Sequence, residues 1–187
     1  MALKDDKLDV PPPRKVNDDM IPYVVVADEI FAIKPWLMKP CGGKGLPQEE
    51  EIFNYRLSRC RRTIENTFGI LVARWRIFRR PIRAKPETVD LITKACLCLH
   101  NYLRLTSNAC YMPAGFVDSE DGNGDIISGD CRRMSDGASA LLSVARNRAH
   151  NRSSSNSYRV RDNFNKYFNS KEGSLPWQVK YVTRTKI

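Results

Sequence analysis

Between Phe53 and Phe78 the apolar residues Phe53, Leu57, Cys60, Ile64, Phe68, Leu71, Trp75 and Phe78 recur every three or four positions. That spacing gathers them on one stripe of an α-helix, against the alternation a strand would need. A helix this long draws most of its stability from burying such a stripe, so it organises whatever fold the chain adopts. Nine arginines lie between Arg56 and Arg83, with Lys85 beyond them, yet from Ile52 to Lys85 there is one acid, Glu65. That carboxylate has two readings. It pairs locally with Arg61 and Arg62, one turn back, a solvated contact of ~0.3 kcal/mol, or it is a catalytic metal ligand.

The 187 residues carry 31 Lys and Arg against 21 Asp and Glu, a net charge of +10, with 42% hydrophobic residues. This length suits one ordinary domain with a real core. The positive balance, gathered on one helix as arginine, favours phosphate-bearing partners over a diffuse membrane surface. No run approaches the roughly 18 apolar residues of a membrane span, and the N-terminus lacks the apolar segment of a signal peptide. A nuclear or cytosolic protein is expected. The six cysteines have neither finger spacing nor a secretory context, so they read as reduced core thiols, and the Asn151 glycosylation match carries no meaning.

Residues 1–20, charged and holding the run Pro11–Pro13, read as a flexible arm. Residues 21–105 form the main body. Tyr23–Ala27 is a short β-branched run expected to be a buried strand ending at Asp28, and Lys39–Gly45 is a glycine-rich turn. The long helix is expected from about Pro47 to Phe78, with Glu49, Glu50 and Glu51 opposing the dipole at its start. A second helix opens at Pro86 with Val89, Ile92, Cys96, Leu99 and Leu103 as its stripe. Residues 106–157, rich in Gly, Ser, Asp and Asn, read as a polar linker with a short helix around 137–148. Asp121–Asp125 resembles a calcium loop only briefly, because Ile126 stands where the loop needs glycine. Residues 158–187 read as a segment that packs back on the body, with Trp75 and Trp177 as core anchors and His100 as a structural histidine.

A carboxylate at the carboxyl end of a strand points into the usual crevice of an α/β sheet, and carboxylates are natural ligands for Mg²⁺ or Mn²⁺. Two such ions roughly 3.5–4 Å apart can clamp the attacking and leaving oxygens of a phosphodiester. On this reading Asp28 and Glu65 are a candidate catalytic, metal-holding pair, with the local ion pair of Glu65 to Arg61 and Arg62 as the alternative. Arg56, Arg59 and Arg62, around the Glu65 face, are the candidate contacts for nucleic-acid phosphates.

The order of motifs sharpens this reading. The run Val24–Phe31, Lys34–Pro40, Phe53–Arg59, Arg62–Leu71, Cys98–Leu103 and the end segment Arg161–Gln178 together resemble the PIF/Harbinger transposase-derived nucleases. The resemblance implies an α/β fold, the C-terminal part of an RNase H-like nuclease, mostly helical with one or few strands in this chain. It implies a DDE triad that binds divalent metal and hydrolyses DNA phosphodiesters, with Asp28 matching the second aspartate and Glu65 the glutamate. The family's first aspartate sits upstream on an earlier strand; Asp5, Asp6, Asp9, Asp18 and Asp19 lie in a polar arm that does not match it, so the triad is expected to be incomplete here. A nuclear location, DNA as partner and a separate Myb-like DNA-binding protein are further implications. The rival reading, from another class, is a non-catalytic remnant that binds nucleic acid or protein through its Arg-rich helix.

Overall fold

A computed structural model describes residues 10–16, 19–134 and 154–184. In chain order it contains β1 (Arg14–Val16), β2 (Asp19–Ile21), β3 (Val25–Val26), β4 (Leu37–Met38), α1 (Gln48–Arg74) and a 3-10 turn (Arg76–Arg79). There follow α2 (Pro86–Thr106), α3 (Asn108–Tyr111), β5 (Ser119–Glu120), β6 (Ile126–Ile127), α4 (Asp130–Met134), α5 (Ser155–Asn169) and α6 (Gln178–Arg184). The chain is thus mainly helical, with three two-stranded sheets: β1–β2 and β5–β6 are antiparallel and β3–β4 is parallel. It divides into two compact units, one of residues 1–61 and 145–187, the other of residues 62–144.

The first unit is built on the N-terminal half of α1. Phe53 and Leu57, one turn apart, enter a cluster with Ile33, Met38, Cys41 and Val160, flanked by Val24, Val26, Phe164 and Phe168. Val160, Phe164 and Phe168 lie four apart along α5, so that helix presents a matching stripe. Ser154 caps α5, its side chain accepting the Ser157 amide. The adjacent face of α1 puts Ile52 and Tyr55 against Val182, with Tyr181 stacked on Tyr55 at 4.2 Å. Asn54 ties the glycine-rich turn to α1: its Oδ1 accepts the Cys41 amide at 2.7 Å and its Nδ2 donates to the Cys41 carbonyl at 3.0 Å. The turn after α5 is equally constrained, since a Cβ at Gly173 would sit 2.0 Å from the Tyr167 carbonyl oxygen.

The second unit uses the other half of α1. Ile70 and Ala73 pack with Tyr111, Phe116 and Cys131, flanked by Leu103, Met112 and Val117. The helix ends at Arg74 because Trp75 turns extended (φ −108°, ψ 90°) and Arg79 reaches back to the Val72 and Ala73 carbonyls at 3.2 and 3.0 Å. Those carbonyls would otherwise be among the unpaired acceptors of a helix end.

Several expectations change. The stripe of α1 is buried at Phe53, Leu57 and Leu71, whereas Ile64 and Phe68 are 48% and 47% exposed and Cys60 is exposed. Neither hydrophobic cluster reaches this middle stretch. Tyr23–Ala27 is not a strand buried on both faces. Val24 and Val26 pack inward while Tyr23 and Val25 face out, because β3 has one hydrogen-bonded neighbour and one covered side. Within the expected arm, Arg14–Val16 pairs antiparallel with Asp19–Ile21, anchored by buried Ile21. Within the expected linker, residues 108–134 carry two short helices and a hairpin, since Tyr111, Phe116 and Cys131 supply core among the polar residues. Three of the free cysteines, Cys60, Cys98 and Cys110, are exposed rather than in the core. The expected helix at 137–148, Asn151 and the aspartates at 5, 6, 9 and 18 lie outside the described residues.

Gln178, 2% exposed, closes the first unit. Its Oε1 accepts from the Leu175 amide at 3.1 Å and Arg56 Nη1 at 3.2 Å, and its Nε2 donates to the Phe168 carbonyl at 2.8 Å. Gln178→Ala is expected to lower the unfolding free energy by about 2 kcal/mol, the cost of stranding these buried partners. Urea denaturation measures it, and an unchanged midpoint would mean the C-terminal segment does not hold α1.

Candidate metal carboxylates and the basic surface

Asp28 follows β3 directly, at the carboxyl end of a strand whose hydrogen bonds run to β4: the Val25 amide donates to Trp36 and the Ala27 amide to Met38, both at 2.8 Å. The turn beyond is made by Asp28 itself. Its Oδ1 accepts the Glu29 amide at 2.7 Å, and its carbonyl accepts the Phe31 amide at 3.1 Å. The same Oδ1 lies 3.6 Å from Arg61 Nη1 on α1. The side chain is half exposed, and Oδ2 has no such partner, so Asp28 retains an oxygen suited to a hard cation. Asp28 belongs to the first unit.

Glu65 lies exposed on α1 in the second unit. Its negative charge is among the influences that raise the Arg132 pKa, behind the dominant hydrogen bond from Arg132 to Asp118. Among the described residues no group of three or more His, Cys, Asp or Glu side chains is arranged to hold a metal ion. The donor chemistry of each carboxylate suits Mg²⁺ or Mn²⁺, with Asp28 in the first unit and Glu65 in the second.

The arginines separate into two sets. Arg56 Nη1 donates to the Gly173 carbonyl at 2.6 Å as well as to Gln178, and its guanidinium lies 4.5 Å above the Phe168 ring. Arg59 rests on the rings of Trp177 and Tyr55, at 5.4 and 5.9 Å. Arg62 pairs with Glu120 in a half-buried contact. These three, the expected phosphate contacts, each have internal partners. Arg74 is likewise held, donating to the Tyr111 carbonyl at 2.9 and 2.6 Å and lying 4.3 Å from the Phe116 ring. By contrast, Arg76, Arg80, Arg83 and Lys85 are exposed on the connection between α1 and α2. Their side chains form no hydrogen bond or ion pair among the described residues, which leaves a short cationic segment facing solvent.

Spacing did not disclose the polar network of the second unit. Asp118, 6% exposed, accepts the Gly129 amide at 2.9 Å and Arg132 Nε at 2.8 and 2.7 Å, with Arg132 Nη2 closing a fork. Asn66 Nδ2 donates to the Asp118 carbonyl at 3.1 Å. Gly129 is required there, since a Cβ would fall 2.3 Å from the Val117 carbonyl carbon. The nearby Asp121–Asp125 stretch is a hairpin turn in which Asp121 Oδ1 accepts the Asn123 and Asp125 amides, both at 2.8 Å. His100 is buried, its Nδ1 3.0 Å from the Tyr111 hydroxyl, which also accepts from Trp75 Nε1 at 3.2 Å. Burial, then the Arg104 charge, lowers the His100 pKa, so it is a neutral structural residue near pH 7. Burial likewise pushes the Cys41 and Cys131 thiols up, against any role as thiolate ligands.

Residues 14–101 match the family model described as DDE superfamily endonuclease. The matched segment runs from β1 into α2 and includes both Asp28 and Glu65, which supports a DDE-type, transposase-derived nuclease ancestry for it. No curated protein and no solved structure matches the chain. No described helix is long and apolar enough to cross a membrane.

The Arg132 fork, ahead of the opposing effect of burial, holds the Asp118 carboxyl below its usual range. A depressed folded pKa contributes stability that is present above the unfolded value, near 3.9, and lost as pH falls through the folded one. Wild-type stability is therefore expected to drop below about pH 4 by an increment that Asp118→Asn lacks. At pH 7 Asp118→Asn should cost about 2 kcal/mol, and Arg132→Ala more, because it strands a buried carboxylate. Urea melts at pH 7 and pH 3 check this, and identical acid sensitivity in wild type and Asp118→Asn would remove the network from the account.

Proposed function

We propose that this chain is the DNA-engaging part of a metal-dependent DDE nuclease of the PIF/Harbinger type, working on phosphodiesters in the nucleus. The observation that carries the proposal is the match of residues 14–101 to the DDE superfamily endonucleases, which spans Asp28 and Glu65. In this reading the two residues are metal-holding carboxylates. A divalent ion would supply Lewis-acid charge to the scissile phosphate. The expected fold context is RNase H-like, consistent with an acid directly after a parallel-paired strand. A separate Myb-like protein would supply target recognition, by analogy alone.

The protein's own residues contribute position and charge. Asp28 is oriented by its turn and by Arg61. Phosphate attraction is assigned to Arg76, Arg80, Arg83 and Lys85, whose charges no internal partner consumes, rather than to Arg56 and Arg62. The rival reading, a non-catalytic binding remnant, shares this cationic segment and drops the carboxylate roles.

The purified chain is expected to bind duplex DNA without sequence preference, with log affinity falling against log salt by roughly 0.9 per phosphate contact. Replacing Arg76, Arg80 and Arg83 with alanine should reduce that slope by about 2–3. Cleavage in Mg²⁺ or Mn²⁺ is expected to be absent from the purified chain, since no group of three metal-ligating side chains is arranged among the described residues. Mn²⁺ binding followed by electron paramagnetic resonance should nevertheless weaken in both Asp28→Asn and Glu65→Gln. Unchanged Mn²⁺ affinity in either variant favours the binding remnant, and an unchanged salt slope in the triple variant removes the connection from the DNA surface.

A further inference from the structure

Lys39 opens the glycine-rich turn, in the same unit as Asp28. Strands β3 and β4 are parallel and pair Val26 with Met38. Asp28 and Lys39 therefore leave the pair at one carboxyl end, where α/β sheets receive their ligands. Met38 is fully buried, and the pleat turns the next side chain, Lys39, away from that core. Its backbone is fixed on both sides. The Met38 carbonyl accepts the Ala27 amide at 2.8 Å, and Asn54 clamps Cys41 to α1.

The Lys39 ammonium reaches back to the turn that holds Asp28 and donates to the Glu29 carbonyl at 3.2 Å. Asp28 Oδ1 accepts from the amide of that same residue at 2.7 Å. The amide nitrogen and carbonyl oxygen of one residue lie within about 4 Å of each other, so the ammonium stands within about 10 Å of the carboxylate. Of the three donors of an ammonium, one is taken by this neutral carbonyl. None of the ion pairs among the described residues includes Lys39. Its remaining donors and its whole charge are left for an anion.

We infer that Lys39 is a phosphate-binding residue of the Asp28 site, its ammonium donating to an oxygen of the same DNA phosphodiester that Asp28 engages through a divalent ion. This rests on the metal-holding role proposed for Asp28 and adds the contact that holds the substrate backbone there. A carboxylate oxygen, a divalent ion, one phosphate and its donor extend to about 9 Å, with metal–oxygen contacts near 2.1 Å and a donor contact near 2.8 Å. One phosphodiester therefore reaches both residues. The need for such a cation is local. Asp28 by itself repels a phosphate, Arg61 is turned to the Asp28 Oδ1 at 3.6 Å, and Arg76, Arg80, Arg83 and Lys85 belong to the second unit. A lysine suits the task as a compact point charge with rotatable donors.

Titrations of the full chain with a short DNA duplex and with Mn²⁺ test this, in wild type, Lys39→Gln, Lys39→Arg and Asp28→Asn. Without metal, Lys39→Gln is expected to lower the slope of log affinity against log salt by about 0.9, one phosphate contact. Lys39→Arg should retain the wild-type slope. In wild type the duplex is expected to tighten Mn²⁺ binding about fivefold, the lower end of typical coupling between sites, and Lys39→Gln should lose most of that gain. Without DNA, Lys39→Gln should bind Mn²⁺ at least as tightly as wild type, because a nearby cation has gone. A lysine that only tied the turn would instead loosen Asp28 and weaken metal binding without DNA. The duplex should also slow acetylation of Lys39 by an amine-reactive ester, followed by mass spectrometry. Where Asp28→Asn does weaken Mn²⁺ binding, an unchanged salt slope, an unchanged coupling or an unprotected Lys39 would overturn the inference and leave the role of Asp28 standing. Mn²⁺ affinity indifferent to Asp28→Asn would overturn that role itself, and with it the placement of Lys39 beside a metal.

Discussion

Arg56 leaves α1 in the middle of a helix turn and places its guanidinium against the Gly173 carbonyl, the Gln178 side chain and the Phe168 ring. This contact joins α1 to the C-terminal segment across 117 to 122 residues. Burial of a guanidinium is costly unless its donors are met, and here both a carbonyl and an amide oxygen meet them. The packing of Tyr55 on Tyr181 and of Trp177 Nε1 on the Tyr55 hydroxyl at 3.0 Å follows from the chain being drawn back to this point. Gly173 and Gln178 both accept hydrogen bonds from Arg56.

The same economy governs the second unit with different chemistry. There the charged centre is an acid, Asp118, and an arginine from α4 comes to it. Arg62 with Glu120, and Arg74 between Tyr111 and Phe116, extend the pattern. A sequence so rich in arginine therefore spends much of that charge on its own interior, through planar donors that fork onto carboxylates and lie flat on rings. On the connection between α1 and α2, Arg76, Arg80, Arg83 and Lys85 stay exposed to solvent. This redistribution changes where DNA contact is expected without changing why a basic chain would make it.

The apolar surface behaves in a comparable way. Ile64 and Phe68 on α1, and the outer face of α2, are hydrophobic positions that the described core does not use. On α1 the two residues are isolated between clusters and specify nothing.

The sequence by itself determined the long helix, its acidic start, the second helix at Pro86 and the strand-then-acid order that places Asp28. These depend on local periodicity, proline geometry and dipole charge, which a few neighbouring residues suffice to express. The motif order also carried the DDE resemblance, later supported over residues 14–101. Tertiary structure alone decided which half of the stripe is buried, that β3 is covered on one side, that 108–134 folds around Tyr111, Phe116 and Cys131, and which arginines are spent internally. Those outcomes depend on partners far away in sequence. Arg56 meets Gly173 across 117 residues and Asn66 meets Asp118 across 52, and no local pattern of charge or hydropathy encodes which distant carbonyl a guanidinium or an amide will find.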